Sequence, residues 1–291
     1  MIVRMSLSLV ALVLVASCAD VPAYRVVGED PTDIPVAGST AEDVDLFVRG
    51  DALFNATYRP SQGLGPLFVR SSCQSCHAEA GRGPGAAIRM SAVEADGFTR
   101  ARDQGAFPWG DQARPQFTAD ATRGVQVPEE APGILVSWRL GPAVFGRGWI
   151  EAVEDAEIER VEQEQAARGG AVSGRIHRLP DGSIGRFGLK ARIATLEEFT
   201  ADAFLTEMGL TTTRRPTELP NPDGLVDDLR AGVDIGDDVV RQVTGYVRRL
   251  AIPRRRGRDD QGGAFFERVG CVDCHTPTLR TRADYPLAPL A

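Results

Sequence analysis

Cys73-Gln74-Ser75-Cys76-His77 and Cys271-Val272-Asp273-Cys274-His275 carry one pattern, Cys-x-x-Cys-His, near opposite ends of a 291-residue chain. The pattern is the attachment signature of c-type haem. Two thiols three positions apart can each add across one vinyl group of the haem. The adjacent histidine then lies beneath the ring, where its imidazole can bind iron. A structural zinc site would need further Cys or His ligands, and outside the two motifs and Cys18 the chain offers only His177. A thioredoxin-like redox motif needs no trailing histidine and expects a cytosolic βαβ setting. The reading is therefore two covalently attached c-type haems, through Cys73, Cys76, Cys271 and Cys274, with His77 and His275 on iron.

The ends of the chain set its context. Arg4 precedes an apolar run from Leu7 to Val15, and Ala16-Ser17-Cys18 follows. The run is too short to span a bilayer and has the layout of a secretory signal. Residues 1–17 read as a lipoprotein signal peptide, with Cys18 lipidated, the plainer alternative being an ordinary signal peptide whose Cys18 is incidental. The expected place is the periplasmic side of a bacterial membrane, the outer membrane favoured, held by the lipid alone. The five cysteines are then used up by one anchor and two haem pairs, with none left for a disulfide. A net charge of −7 argues against a nucleic-acid partner.

Residues 18–40, with Pro22, Gly28, Pro31, Pro35 and Gly38, read as a tether. A helix is expected from Ala41 to the mid-fifties, with Val44, Phe47, Val48 and Phe54 on its apolar face. Gly50-Asp51-Ala52-Leu53-Phe54 ahead of the first motif is echoed by Gly262-Gly263-Ala264-Phe265-Phe266 ahead of the second. That repeat makes the chain two haem-binding halves. Between them, residues 96–133 read as long loops or short strands, and Ser137 to Val153 is unusually apolar for a connection. A charged helix follows from Asp155 to Arg168, stopped by Gly169-Gly170. Pro180-Asp181-Gly182 signals a small hairpin within 172–188. Thr195 to Glu198 reads as a capping box opening a helix that Gly209 stops. Val239, Val240, Val243, Tyr246, Val247 and Leu250 mark the clearest amphipathic helix.

The order Cys73–His77, Gly81-Arg82-Gly83, Phe145-Gly146-Arg147-Gly148, Glu151-Ala152, Gly185 to Ala191, Glu207-Met208-Gly209, Leu250 to Pro253 and Cys271–His275 resembles the bacterial di-haem oxidoreductases. These are peroxidase-like proteins, also labelled thiol oxidoreductases, and similar in plan to di-haem cytochrome c peroxidases and MauG-type enzymes. The resemblance covers roughly residues 41–280. It implies a mainly α fold of two cytochrome-c-like haem domains with long loops and a small β-hairpin. The first domain is expected over 41–230 and the start of the second over 231–291. Leu189 stands where the family usually has Trp. The family continues further past the second motif, whereas this chain ends sixteen residues after His275 without another His or Met. The resemblance therefore implies an incomplete second domain.

The implied activity is electron transfer with reduction of peroxide at one haem, fed by a small periplasmic cytochrome or cupredoxin. Glu151 is the candidate acid/base, because burial in an apolar segment would raise its pKa. The plainer reading is a carboxylate favouring a helix dipole. Met208 and His177 are candidate distal ligands to iron, each with a plainer role as core filler or surface histidine. Arg139, Arg147 and Arg186 are candidates for pairing with haem propionates. Arg248, Arg249, Arg254, Arg255, Arg256 and Arg258 form a cluster able to dock an acidic partner or simply to be solvated. Two alternatives remain open: a non-enzymatic electron carrier with both irons six-coordinate, or a degenerate fragment unable to load its second haem.

Overall fold

A computed structural model describes residues 34–78, 86–92, 110–127, 133–170, 172–225, 232–253, 259–285 and 287. Residues 1–17, expected to be a signal peptide, Cys18, Gly81-Arg82-Gly83 and Arg254 to Arg258 lie outside these residues. Six helices and two small antiparallel sheets are present among the described residues. The chain is mainly α, as expected.

The first helix, α1 (Ala41–Asn55), begins where the pattern placed it. Thr40 Oγ1 accepts the Asp43 N–H at 3.2 Å, and the Asp43 carboxylate accepts the Thr40 N–H at 3.1 Å. This reciprocal cap satisfies two amides that a helix start leaves without partners. Asp43 also accepts two bonds from the guanidinium of Arg249, far along the chain. The end of the expected tether is bonded too: the Val36 N–H donates to Arg249 O at 2.8 Å, and the Ala251 N–H to Ile34 O at 3.0 Å.

Further along, β1 (Leu67–Phe68) pairs with β3 (Gln116–Phe117), and β2 (Ala86–Ala92) with β4 (Ile134–Leu140). The apolar run beginning near Ser137 is thus no connection. Its first part belongs to β4 and its end to a short helix, α2 (Arg147–Ala152), which leads into α3 (Asp155–Arg168). The expected hairpin at 172–188 is reduced to a single bridge between Arg178 and Ile184. Thr195 caps α4 (Leu196–Met208) by accepting the Glu198 N–H at 3.2 Å, and Gly209, at φ 69°, ends it. Next comes α5 (Asp237–Arg249), the most amphipathic segment in the sequence. Last is α6 (Asp260–Arg268), capped by Asp259.

The core forms where α1, α4 and α5 meet. Tyr246 has no exposed surface, and its ring lies 4.9 Å from that of Phe47 and 5.1 Å from that of Phe54. Each such buried ring contributes about 1.5–3 kcal/mol of transfer free energy. So α5, read from the sequence as opening the second unit, gives its buried face to this core. Two glycines allow the approach. A Cβ on Gly50 would sit 2.2 Å from Gln242 O, and one on Gly245 would sit 2.8 Å from the Leu46 side chain.

Gly263, one position after the counterpart of Gly50 in the second copy of the repeat, differs in consequence. A Cβ on Gly263, in α6, meets nothing within 4 Å. In urea unfolding, Gly50→Ala should lose about 1–3 kcal/mol through overpacking. Gly263→Ala should be neutral or gain up to about 1 kcal/mol of helix propensity. Equal effects at the two positions would mean that the close approach does not fix α1.

Candidate haem sites

Both pentapeptides fold into the same local shape. The His77 N–H donates to Cys73 O and the His275 N–H to Cys271 O, each at 2.9 Å. The Cys76 and Cys274 amides donate to the same two carbonyls at 3.1 and 3.2 Å. In each copy the repeat aromatic approaches the histidine, Phe54 to His77 at 6.3 Å between centroids and Phe266 to His275 at 5.6 Å. The paired sequence signals thus become paired tight turns, each beside an aromatic from the preceding helix.

Their surroundings differ. Cys73 packs against the main core, and burial pushes its free thiol up to about 12, with the charges of Cys76 and Glu207 adding to the shift. His77 is held below its ordinary value, first by burial and then by the nearby positive charge of Arg147. Its Nδ1 is buried without a hydrogen-bond partner. Arg147 opens α2, donates through Nε to Ala143 O at 2.9 Å, and is lowered by burial, with no offsetting carboxylate among the described residues. A buried imidazole nitrogen without a partner, near a partly buried guanidinium, fits a haem, whose iron takes imidazole and whose propionates take guanidinium.

The second motif lies at the surface. Cys271 is half-buried, while Cys274 and His275 are exposed. α6 buries no residue, and Phe265 and Val269 are 55% and 52% exposed. The contacts of this segment run to α2 and α3. The Glu154 N–H donates to Arg280 O at 3.1 Å, and the Arg282 N–H to Ala152 O at 2.8 Å. Tyr285 and Leu287 bury themselves with Ala152.

The predicted side chains part company here. Glu151 Oε1 accepts the Leu196 N–H, at the start of α4, at 2.7 Å. Its Oε2 accepts from Tyr285 Oη at 2.6 Å and from Arg248 Nε at 2.9 Å. Burial alone would raise the Glu151 pKa, as the sequence led us to expect. The charge of Arg248, the Tyr285 hydroxyl and the Leu196 amide together outweigh it and hold the carboxyl below its ordinary value. That expectation is corrected: the group is a stabilised carboxylate. Part of the plainer reading also applies, since Glu151 sits at a helix N-terminus, that of α4 rather than of its own helix.

Arg248 and Arg249 are engaged internally, with Glu151 and Asp43. Arg186 donates to Val153 O and Ile184 O and pairs with Asp155. Arg139 donates to Ser137 Oγ and has the like charges of Arg89 and Arg192 nearby. Of the three proposed propionate partners, Arg147 is the one beside a haem-motif histidine. Met208 is 2% exposed in the cluster against which Cys73 packs, and Met90 is 1% exposed in a separate cluster. His177 is exposed, with Nδ1 2.7 Å from Lys190 O.

A family model described as "Di-haem oxidoreductase, putative peroxidase" matches residues 125–288, more than half of the chain. The chain belongs to that family. No curated protein and no solved structure matches it. The di-haem oxidoreductase match takes in Arg147, Glu151 and Cys271–His275, but it begins after Cys73–His77. The first motif thus enters this di-haem oxidoreductase on its own sequence signal and geometry. Sequence reasoning missed Tyr285 and Gln165, because nothing local marks a phenol or an amide whose partners lie far along the chain.

The clasp around Glu151 sets a pH dependence. A carboxyl whose folded pKa is depressed contributes stability above its unfolded value and loses it as pH falls through the folded one. Glu151→Ala should cost about 3 kcal/mol near neutrality, the low end for removing one member of a buried pair. It should also flatten the loss of stability of the wild type as pH falls below the ordinary glutamate value of 4.5. Parallel wild-type and variant stability curves through that range would remove Glu151 as their cause.

Proposed function

We propose that this chain is an exported di-haem c-type oxidoreductase that takes electrons from a small periplasmic cytochrome or cupredoxin and reduces peroxide at one haem. The observation that carries this reading is the pair of pentapeptide turns, identical in their internal hydrogen bonds and each beside an aromatic ring. Family membership supports the oxidoreductase class. When bound, haem iron supplies the redox centre and the site of peroxide reduction.

The residues have separate tasks. Cys73 with Cys76, and Cys271 with Cys274, would hold the haem through thioethers, and His77 and His275 would each offer an imidazole nitrogen to iron. Arg147 offers its guanidinium to a propionate. At His177 a carbonyl accepts from Nδ1, so in the neutral ring Nδ1 carries the proton and Nε2 keeps its lone pair for a metal. Met208 would offer a thioether to iron in place of that imidazole. Glu151 enters as a carboxylate, able to take a proton but not carrying one at neutral pH.

Spin states by EPR, on oxidised and half-reduced protein, test the reading. A high-spin iron in either state and peroxide turnover that falls at least tenfold in Glu151→Gln, with haem content unchanged, are the expected results. Undiminished turnover would leave Glu151 its structural role alone. A second reading, a pure electron carrier, would be selected by two low-spin irons throughout.

The anchor is tested separately. Cys18→Ala should release the protein from membranes, and continued membrane association would exclude lipidation at Cys18.

A further inference from the structure

The first motif is placed by packing against the main core. The second has no such support, because neither α6 nor the turn Cys271–Asp273 buries a residue. The hydrogen bonds inside the loop define its shape: Asp273 N–H to Gly270 O at 3.1 Å, and the Cys274 and His275 amides to Cys271 O. They do not define where that shape sits relative to the rest of the protein. Its placement has to come from contacts reaching out of the loop.

One such contact is buried. Gln165, on α3, is 8% exposed and donates from Nε2 to the main-chain oxygen of Asp273 at 2.6 Å. Asp273 lies between the two cysteines of the motif. On its other side Gln165 Oε1 accepts the Gly174 N–H at 2.6 Å. The amide cannot be reversed, because Gly174 offers only a donor and Asp273 O only an acceptor. Both of its polar ends are thus satisfied within the protein, and each partner fixes the other's bond. Arg168 also reaches Asp273, at 3.5 Å, but both side chains are largely exposed, so water weakens that pair.

We propose that Gln165 is the positioning residue of the second haem site, its amide pinning the main chain of the Cys271–His275 loop to α3. Because α2, which carries Arg147 beside His77, leads directly into α3, the same pin ties the second site to the first. The inference rests on the reading that the second pentapeptide carries a haem.

Gln165→Glu tests it at constant length. The glutamate keeps an acceptor for Gly174 but sets an oxygen against the Asp273 carbonyl, where a donor is needed. Full-length wild type, Gln165→Glu and Arg168→Gln are produced in cells competent for c-type maturation. Intact mass then gives haem per chain, and EPR with redox titration gives the signature of each haem. Gln165→Glu should shift the EPR signal and midpoint potential of the second haem and lower the fraction of chains carrying it. The first haem should stay unchanged, and Arg168→Gln should match wild type at both. Should Gln165→Glu not accumulate, Gln165→Met, which removes both bonds without adding charge, is read in the same way. An unchanged second haem overturns the proposal, as does a change of both haems together. A wild-type chain lacking haem at Cys271–His275 would instead overturn the reading beneath it, an outcome seen in the control before any variant is compared.

Discussion

The carboxylate of Glu151 gathers three parts of the chain onto one short helix. It takes the first amide of α4, the guanidinium of Arg248 on α5 and the hydroxyl of Tyr285 beyond the second motif. Removing one such partner from a partly buried group leaves the others with unmet polar demand, which is why the arrangement is cooperative. The same helix begins with Arg147 beside His77. The surroundings of the first motif and the anchoring of the segment after the second thus converge on a helix of six residues.

The two haem motifs show how one local code can be placed by different physics. At the first, aromatic packing among Phe47, Phe54 and Tyr246 supports the turn, and burial dominates the titration of Cys73 and His77. At the second, the corresponding aromatic, Phe266, is 40% exposed, and hydrogen bonds to α2 and α3 replace the missing apolar contacts. Apolar burial is non-directional and tolerates small shifts, whereas a hydrogen bond weakens steeply with misalignment. The second site consequently depends on few, well-aimed polar contacts.

Much of this was legible beforehand. The helix starting at Thr195 was announced by its cap, and the stops at Gly169 and Gly209 by glycines that adopt the left-handed conformation. The repeat of glycine and aromatic marked the two copies, and in the structure the aromatic of each lies near its histidine. Less legible was the region around β2 and β4, whose pairing joins residues 86–92 to 134–140 through long-range contacts that no local pattern states. The hairpin signal at Pro180-Asp181-Gly182 was real as a turn but did not extend into a ladder.

By itself the sequence determined the two Cys-x-x-Cys-His motifs, the limits of α1, α3 and α4 and the apolar face of α5. All of these depend on neighbours within a few positions. Tertiary structure alone decided that Glu151 is ionised, that Arg248 and Arg249 face inward, and that one motif is half-enclosed while the other is exposed. The partners of Glu151 lie 45, 97 and 134 positions away. Whether burial or charge wins at a carboxyl depends on which distant groups reach it, and only the packed chain brings those groups together.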